Sequence, residues 1–371
     1  MSVRALVVDL SREYRGGQHQ ALLLLSGLRE LGCAVWLMAP GESLLARRAQ
    51  QADIPVEAVP NRGRRIAAAR SIWRLLREDR LDLVHANEPH ALSSAWLAGA
   101  HRRVPVIAAR RIALRLSSGA LARARYRAAS RVVAVSQFVA RSLAASGLPT
   151  QRIEVIYDGV KIPAELSGAD RATARARYAI PEGAVCIANV AAFVPEKGQA
   201  VLIGALEILR LAGKPCVLLL AGEGPERAAL EALAGRANLT DCVRFAGFVP
   251  DIDSVYAATD LFAFPSHEEP LGSALLSAMA HGLPVVAVAR GGVPEVVAGE
   301  VNGLLIAQPE APAMAEALAR LIASPPEAQR LGRSARDTIA ARFSADQMVN
   351  ATLGLYQRLR GSARLARPHR R

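Results

Sequence analysis

The stretch Val3-Arg4-Ala5-Leu6-Val7-Val8-Asp9-Leu10 is a short apolar run, which indicates a buried β-strand. A polar, glycine-bearing segment at residues 11–18 follows this run, and residues 20–31 then form an apolar segment of helix length. A strand, a loop and a helix in this order form the repeating unit of a parallel sheet that is covered by helices. The first thirty residues therefore predict an α/β fold.

The unit repeats along the chain in two series. In the first series we predict further strands at residues 34–38, 81–85, 104–108, 131–135 and 153–156. In the second series we predict strands at residues 185–190, 216–221, 243–246 and 261–265. The segment between the two series mixes glycine, proline and charged residues, which is typical of an interdomain connection.

The two series predict two doubly wound α/β domains, at residues 1–163 and 182–344, with an interdomain connection at residues 164–181. We expect a C-terminal helix at about residues 345–358 to pack back onto the first domain, before a basic tail at residues 359–371. Ligands bind outside the carboxyl ends of the strands in such sheets, so two facing domains would enclose a binding cleft.

The composition excludes several classes of protein. The chain has 371 residues, of which 51% are hydrophobic, so it can bury a large core and is not disordered. No stretch reaches about 18 uninterrupted apolar residues, and the N-terminal segment lacks the layout of a signal peptide, which predicts a cytoplasmic protein. The four cysteines have no C-x-x-C spacing, so we expect reduced packing residues rather than disulfides or a zinc site.

Charge is distributed unevenly along the chain. The formal net charge is +13, and residues 1–160 hold 24 basic and 12 acidic residues, whereas residues 161–371 hold 22 and 21. The first half has a net charge of +12 and the second half a net charge of +1, which predicts that the two domains have different functions. A nucleic-acid binder is disfavoured, because the basic residues are not interleaved with aromatic residues, which form only 4% of the chain.

Two acidic residues, Glu268 and Glu269, follow a predicted strand and precede an apolar helix. Acids at this position meet the positive end of the helix dipole, so either of them can cap the helix. The backbone N–H groups around Gly272, Ser273 and Ala274 also suit a diphosphate, beside which a carboxylate can bind sugar hydroxyls. Capping and ligand binding both stay open on the residues alone.

Two other motifs are better explained by local structure. Asp251-Ile252-Asp253 looks like a metal-binding acid pair, but its place before a helical segment favours capping, and no metal site is expected. The segment Gly222-Glu223-Gly224-Pro225-Glu226-Arg227 has Arg227 where a dinucleotide fingerprint has its last glycine. A nicotinamide cofactor is therefore disfavoured.

The segment from Ser266 to Val286 resembles the signature of the retaining GT-B glycosyltransferases of family four, in which seven residues separate two Glu. Four further landmarks stand in the family's order: a glycine-rich loop, a lysine motif, a nucleotide-side loop and a final loop. They are Arg15-Gly16-Gly17-Gln18, Pro195-Glu196-Lys197-Gly198, Gly222-Glu223-Gly224-Pro225 and Gly291-Gly292-Val293-Pro294-Glu295. The resemblance covers nearly the whole chain and implies a GT-B fold, in which two Rossmann-like domains face a cleft.

The chain departs from the family pattern at three places. Ala191-Ala192 replaces a Gly-Arg pair whose guanidinium binds the diphosphate, and Ser277 replaces the second Glu of the signature, which binds the ribose. Arg110 and Arg111 stand where many members have a histidine in the catalytic site, although some members resemble this Arg-Arg form. The first two changes predict donor binding that is weaker or differently organised.

The resemblance implies a metal-independent hexosyl-type transferase, which moves a sugar with retention from a nucleotide-sugar donor to a lipid-linked or anionic glycan acceptor of the cell envelope. It implies catalytic roles for Glu269, Lys197 and Arg111, donor contacts at Gly16, Gly17, Gly222, Gly224, Gly272, Ser273, Ala274 and Ser277, and acceptor-side contacts at His85, Asn87 and Arg110. It implies no cofactor, because the nucleotide sugar is a substrate.

The first domain receives the acceptor in this family, so its positive charge predicts an anionic acceptor or an anionic membrane surface as a partner. We therefore expect a protein that is peripheral on the inner face of the membrane. Two alternatives stay open. A nucleotide-sugar epimerase on the same scaffold would alter the donor without an acceptor, and a non-catalytic nucleotide-sugar-binding partner subunit would neither transfer nor hydrolyse it.

Overall fold

The computed structural model describes residues 2–113, 116, 119–165 and 167–365. The chain divides into two compact units: residues up to 159 together with the C-terminal helix, and residues 160–344. Each unit is built on one parallel sheet with helices on its faces. Among the described residues, no helix is both long enough and apolar enough to cross a bilayer.

The first unit alternates strands and helices. Its elements are β1 Arg4–Val8, α1 Gly16–Glu30, β2 Ala34–Pro40, α2 Leu44–Gln51, β3 Val56–Val59, α3 Arg64–Arg77, β4 Leu83–Ala86, α4 Pro89–Leu97, β5 Val106–Arg110, α5 Ala120–Ala128, β6 Arg131–Ala134, α6 Gln137–Ala145 and β7 Ile153–Val155. The strand order is β3-β2-β1-β4-β5-β6-β7. The order reverses at β1, where ligands bind in open sheets of this kind.

The second unit repeats the plan. Its elements are α7 Gly168–Arg177, β8 Val185–Val190, α8 Gln199–Leu211, β9 Cys216–Ala221, α9 Arg227–Arg236, β10 Val243–Gly247, α10 Asp253–Ala258, β11 Leu261–Phe264, α11 Ser273–Ala280, β12 Val285–Val288, α12 Val293–Val296, β13 Leu304–Ile306, α13 Ala311–Ala323 and α14 Pro325–Arg342. The strand order is β10-β9-β8-β11-β12-β13, and it reverses at β8. Strands β9, β11 and β12 are buried throughout, as parallel strands covered on both faces require.

The last helix, α15 Ala345–Leu365, belongs to the first unit. It packs against α1, where a Cβ on Gly27 would lie 2.6 Å from a methyl group of Val349. Glycine at this position therefore lets the two helices approach closely. The helix takes in the first seven residues of the predicted basic tail, and residues 366–371 of that tail lie outside the described residues.

The segment predicted as an interdomain connection, residues 164–181, belongs to the second unit. It contains α7, whose Arg171 and Arg175 both bind the carboxylate of Asp260; the Arg175 Nη1 lies 2.9 Å from Oδ2. These ion pairs fix α7 beside β11, which starts at the residue after Asp260. The second compact unit begins at Val160 rather than at residue 182.

The elements that the sequence prediction omitted include the strands β3, β12 and β13 and the helix α3. Strand β3 has four residues, one of them Glu57, and it forms an edge of the sheet, so its apolar run is too short to recognise. Helix α3 buries only Ala68, Ile72, Leu75 and Leu76, and arginines interrupt its apolar pattern.

A buried histidine connects α15 to the first sheet. The Nδ1 atom of His85 lies 2.6 Å from the hydroxyl of Tyr356, and the His85 side chain is 2% exposed. Burial lowers the pKa of His85 to about 3, and the positive charge of Arg111 acts in the same direction. The folded first unit therefore holds this imidazole neutral.

We predict that the free energy of unfolding decreases by about 1.4 kcal/mol between pH 7.5 and pH 5.5 through His85 alone. The unfolded chain binds this proton at a pKa of about 6.5, whereas the folded chain does so at about 3, so stability is lost as the pH falls below 6.5. Urea unfolding of the native chain and of His85→Gln at both pH values measures the difference. An equal loss in both proteins would show that His85 does not titrate in this way.

Candidate functional site

The second unit brings Lys197 and Glu269 together at the carboxyl edge of its sheet. Lys197 lies in a 3₁₀ turn, Pro195–Lys197, that follows β8, and Glu269 lies in the loop that follows β11. Strands β8 and β11 are paired neighbours, so their loops emerge side by side. The Lys197 Nζ lies 2.5 Å from Oε2 of Glu269, and the two side chains are 23% and 11% exposed. The two residues form a largely buried ion pair.

Close backbone contacts hold this ion pair in place. Gly198 has a φ of 69°, and a Cβ there would lie 2.7 Å from the carbonyl oxygen of Pro265. Gly291 has a φ of 60°, and a Cβ there would lie 2.0 Å from the carbonyl oxygen of Glu269. The N–H of Gly292 donates to that same oxygen at 2.8 Å. A side chain at position 198 or 291 would therefore push apart the loops that form the ion pair.

The predicted nucleotide-side glycines contact protein backbone. A Cβ on Gly222 would lie 1.9 Å from the carbonyl oxygen of Ala191, and a Cβ on Gly224 would lie 2.3 Å from that of Phe193. The N–H of Phe193 also donates to the carbonyl oxygen of Glu223 at 2.9 Å. The packing of the loop after β8 therefore already requires glycine at both positions.

Helix α11 carries the remaining predicted donor-side residues. Gly272 precedes the helix with a φ of 100°, and no side chain caps the first turn, which begins at Ser273. The carbonyl oxygen of Ala274 accepts a hydrogen bond from the Tyr256 hydroxyl at 3.2 Å. The backbone carbonyl oxygen of Ser277 lies 2.8 Å from Nδ1 of His281. Ser277, the predicted ribose contact, is half-buried in the same helix.

In the first unit, a polar cluster surrounds Arg111 at the carboxyl edge of the sheet. The Nε of Arg111 donates to the Asp158 carboxylate oxygens at 3.0 and 3.3 Å, and its Nη1 donates to Oδ1 of Asn87 at 2.6 Å. The Nδ2 of Asn87 donates to Oδ2 of Asp9 at 2.7 Å and to the carbonyl oxygen of Gly17 at 3.1 Å. Three of the predicted residues, Gly17, Asn87 and Arg111, therefore lie together.

Sequence reasoning missed two acids of this cluster, Asp9 and Asp158. Burial raises the pKa of Asp158 above its ordinary value, and the guanidinium of Arg111 opposes that rise. Asp9 is fully buried and also accepts from Nε2 of Gln18 at 2.9 Å, in the first turn of α1, which begins at Gly16. Both acids closely follow strands, so the rule that ligands bind at carboxyl strand ends could have found them.

Two predicted acceptor-side residues are buried within strands. His85 lies inside β4 and bonds Tyr356, as described above. Arg110 is the last residue of β5, is 6% exposed, and its Nη1 donates to the hydroxyl of Tyr126 at 3.4 Å. The predicted ends of both strands were wrong, because β4 ends at Ala86 and β5 at Arg110, later than the sequence indicated. Of that predicted set, Asn87 lies beyond its strand and next to Arg111.

The prediction that Asp251 or Asp253 caps a helix was also wrong. Helix α10 begins at Asp253 with Ile252 at its N-cap position, and no side chain forms a capping hydrogen bond there. The carbonyl oxygen of Asp251 accepts from the Ser254 hydroxyl at 2.7 Å, and Oδ1 of Asp253 lies 3.4 Å from Nε2 of His281. Within the described part of the chain, no group of three or more His, Cys, Asp or Glu side chains is arranged to hold a metal ion.

Two family models match most of the chain. Residues 14–162 match the model of Glycosyltransferase Family 4, and residues 170–338 match that of Glycosyl transferases group 1. A structure of Anabaena Alr3699/HepE in complex with UDP-glucose superposes with a TM-score of 0.83 and 25% identity, covering 95% of this chain and 99% of that one. These similarities confirm the predicted pair of Rossmann-like domains.

The chain is also similar to individual glycosyltransferases of known name. The chain is 32% identical over 306 residues to D-inositol 3-phosphate glycosyltransferase of Saccharomonospora viridis, covering 74% of this chain and 70% of the relative. It is also 32% identical over 243 residues to 2-deoxystreptamine glucosyltransferase of Streptomyces kanamyceticus, covering 64% of this chain but only 63% of that relative. The chain belongs to the GT-B glycosyltransferases of family four.

We predict that Lys197 and Glu269 are energetically coupled by about 1–2 kcal/mol in the folded protein, because either charge alone would be left largely buried without its partner. Unfolding free energies of Lys197→Met, Glu269→Gln and the double variant give the coupling energy. The matched control is the exposed pair Arg227–Glu231, whose coupling should stay below about 0.5 kcal/mol. Equal coupling in the two pairs would contradict the prediction.

Proposed function

We propose that the protein transfers a sugar from a nucleotide-sugar donor to an anionic acceptor, with retention of configuration at the anomeric carbon and without a metal ion. The observation that carries the proposal is the Lys197–Glu269 ion pair, which lies in the loops after β8 and β11, the second of which leads into α11. A nucleotide sugar presents an anionic diphosphate and several hydroxyls. A cation, backbone N–H groups and a carboxylate are the groups that bind them.

Lys197 is the residue we assign to the diphosphate. When the bond between the anomeric carbon and the diphosphate oxygen breaks, negative charge grows on the departing diphosphate, and a fixed cation stabilises that charge. The Nζ of Lys197 has three N–H donors, of which Glu269 accepts one, so two are left for phosphate oxygens. The N–H groups of the first turn of α11, at Ser273 and Ala274, would bind the same diphosphate.

Glu269 is the residue we assign to the sugar. Its Oε2 accepts from Lys197, which leaves Oε1 to accept hydrogen bonds from sugar hydroxyls. The ion pair and the packing of Gly291 on the Glu269 carbonyl hold the carboxylate in one place before the donor arrives. A carboxylate that is already oriented loses little entropy when the sugar binds.

The donor is proposed to be a uridine diphosphate sugar, because the solved Anabaena relative binds UDP-glucose. The protein would bind the nucleotide with fewer charged side chains than the family pattern provides. Ala192 offers no guanidinium, and Ser277 offers a hydroxyl in place of a carboxylate. We therefore expect donor affinity to depend mainly on Lys197 and the α11 N-terminus.

The acceptor is proposed to carry a phosphate or another anionic group, as a lipid-linked or anionic glycan of the cell envelope does. Two observations support this part of the proposal. Residues 1–160 carry a net charge of +12, and Arg111 is held by Asp158 and Asn87 at the carboxyl edge of the first sheet. The Saccharomonospora viridis relative is named for a phosphorylated sugar alcohol, D-inositol 3-phosphate.

The experiment that tests the function combines UDP-glucose with D-inositol 3-phosphate or unphosphorylated inositol as the acceptor. We expect transfer to the phosphorylated acceptor, an α-linked product from the α-linked donor by proton NMR, and unchanged rates in EDTA. A β-linked product would contradict retention, and loss of activity in EDTA that manganese restores would contradict metal independence. Epimerised donor without acceptor, or donor binding without transfer or hydrolysis, would favour one of the two alternatives.

We predict that Glu269→Gln lowers kcat for transfer by about 10- to 150-fold, which corresponds to a lost charged hydrogen bond of about 1.5–3 kcal/mol. Its affinity for UDP should change little, because the carboxylate is assigned to the sugar. The matched control is Glu268→Gln, since Glu268 is the exposed neighbour.

We predict that Lys197→Met weakens the binding of UDP more than the binding of uridine, as measured by calorimetry. Equal losses for UDP and uridine would remove Lys197 from the phosphate site.

A further inference from the structure

Helix α3 presents an exposed face that carries both arginines and large apolar side chains. Ile66, Arg70, Trp73 and Arg77 are spaced by four, three and four residues, so they lie along one stripe of the helix. All four are exposed, Ile66 by 58% and Trp73 by 47%. The residues that α3 buries lie at other positions of the helix, and no described residue of the first unit covers this stripe.

The stripe combines two kinds of contact on the same surface. The Arg77 guanidinium lies 4.8 Å from the centre of the Trp73 ring. An indole ring with a basic neighbour suits the boundary between lipid headgroups and acyl chains, where the ring is partly desolvated and the guanidinium reaches phosphate.

Helix α3 and the six residues before it contain no acid that would neutralise this face. Residues 58–77 contain six arginines and residues 89–153 contain eleven, and neither stretch contains Asp or Glu. Helix α4 packs against both α3 and α5, so the two stretches contribute to one helix layer. Of the acids that flank α3 in sequence, Glu57 pairs with Arg74 and Glu78 pairs with Arg80.

The face reaches the edge of the unit at which the Arg111 cluster lies. Crossover helices run antiparallel to the strands they connect, so their first turns lie at the carboxyl edge of the sheet. Ile66 is in the first turn of α3, and Leu121, which is 58% exposed, is in the first turn of α5. Two exposed apolar side chains therefore lie at the edge that carries the proposed acceptor residue.

We propose that these residues, Ile66, Arg70, Trp73 and Arg77 of α3 with Leu121 of α5, form the face through which the protein binds the surface of an anionic lipid bilayer. The arginines contact headgroup phosphates, and the apolar side chains enter the interface between headgroups and acyl chains. The inference rests on the proposed function, because a lipid-linked anionic acceptor is presented at such a surface. We refer to these five residues as the α3 face.

Charge complementarity favours a bilayer over a second copy of the chain. In a symmetric dimer through the α3 face, arginines would meet arginines, and the acid-free stretches would supply no carboxylate to pair with them. A bilayer that contains phosphatidylglycerol supplies negative charge at every position of the face. Several arginines acting together give adsorption that weakens as salt screens the charges.

The test is sedimentation of the full chain with vesicles of phosphatidylcholine alone or with about 30% phosphatidylglycerol. Each kind of vesicle is used at low and at high salt. We expect binding to the anionic vesicles that falls with salt. Arg70→Gln with Arg77→Gln should lower the partition coefficient about 25-fold, at about five-fold for each arginine. Ile66→Ser with Trp73→Ser should lower it about ten-fold or more.

Matched controls come from the second unit. Leu211→Ser removes an apolar side chain that is 84% exposed, and Arg236→Gln removes an exposed arginine, and neither should change vesicle binding. The proposal would be overturned by equal binding to both kinds of vesicle or by equal losses of binding in the control variants. It would also be overturned by a dimer in sedimentation velocity that the Ile66 and Trp73 changes abolish. Transfer to the soluble acceptor, D-inositol 3-phosphate, should be unchanged in the α3-face variants, so failure of vesicle binding is distinguishable from failure of the proposed function.

Discussion

The carboxyl edge of the second sheet depends on one constraint, which is that several loops approach each other backbone to backbone. The carbonyl oxygen of Glu269 accepts a hydrogen bond from Gly292, and a Cβ on Gly291 would lie only 2.0 Å from that oxygen. Gly198 makes a similar approach to the loop after β11. No side chain fits in these contacts, so glycine at these points determines where the Lys197–Glu269 ion pair forms.

In the first unit, a network of hydrogen bonds keeps charged groups buried at the edge of the sheet. Arg111 donates to both Asp158 and Asn87, and Asn87 continues the chain of hydrogen bonds to Asp9. A buried charge is stable only when it is paired and hydrogen-bonded, and this network satisfies both conditions. It also holds the guanidinium of Arg111 in one orientation, as the proposed binding of an anionic acceptor requires.

The two units therefore differ in the chemistry that they present. The second unit offers one cation, one carboxylate and a helix N-terminus within a nearly neutral half of the chain. The first unit offers an arginine cluster within a strongly basic half. Membership of the GT-B glycosyltransferases explains why one chain carries both, because the reaction that we propose brings together a nucleotide sugar and an acceptor whose recognition groups differ.

The sequence by itself determined the fold class and most strands of the two series, because these depend on local periodicity, and its resemblance to family motifs directed attention to Lys197 and Glu269. It could not place His85 and Arg110, since burial depends on how far a strand extends and on which helix covers it; Tyr356, which binds His85, is 271 residues away. It also missed α3, whose arginines obscure its apolar period, and Asp158, whose partner is 47 residues distant. Only the tertiary structure decided these positions, because hydrogen bonds between side chains that are remote in sequence leave no periodic signal in it.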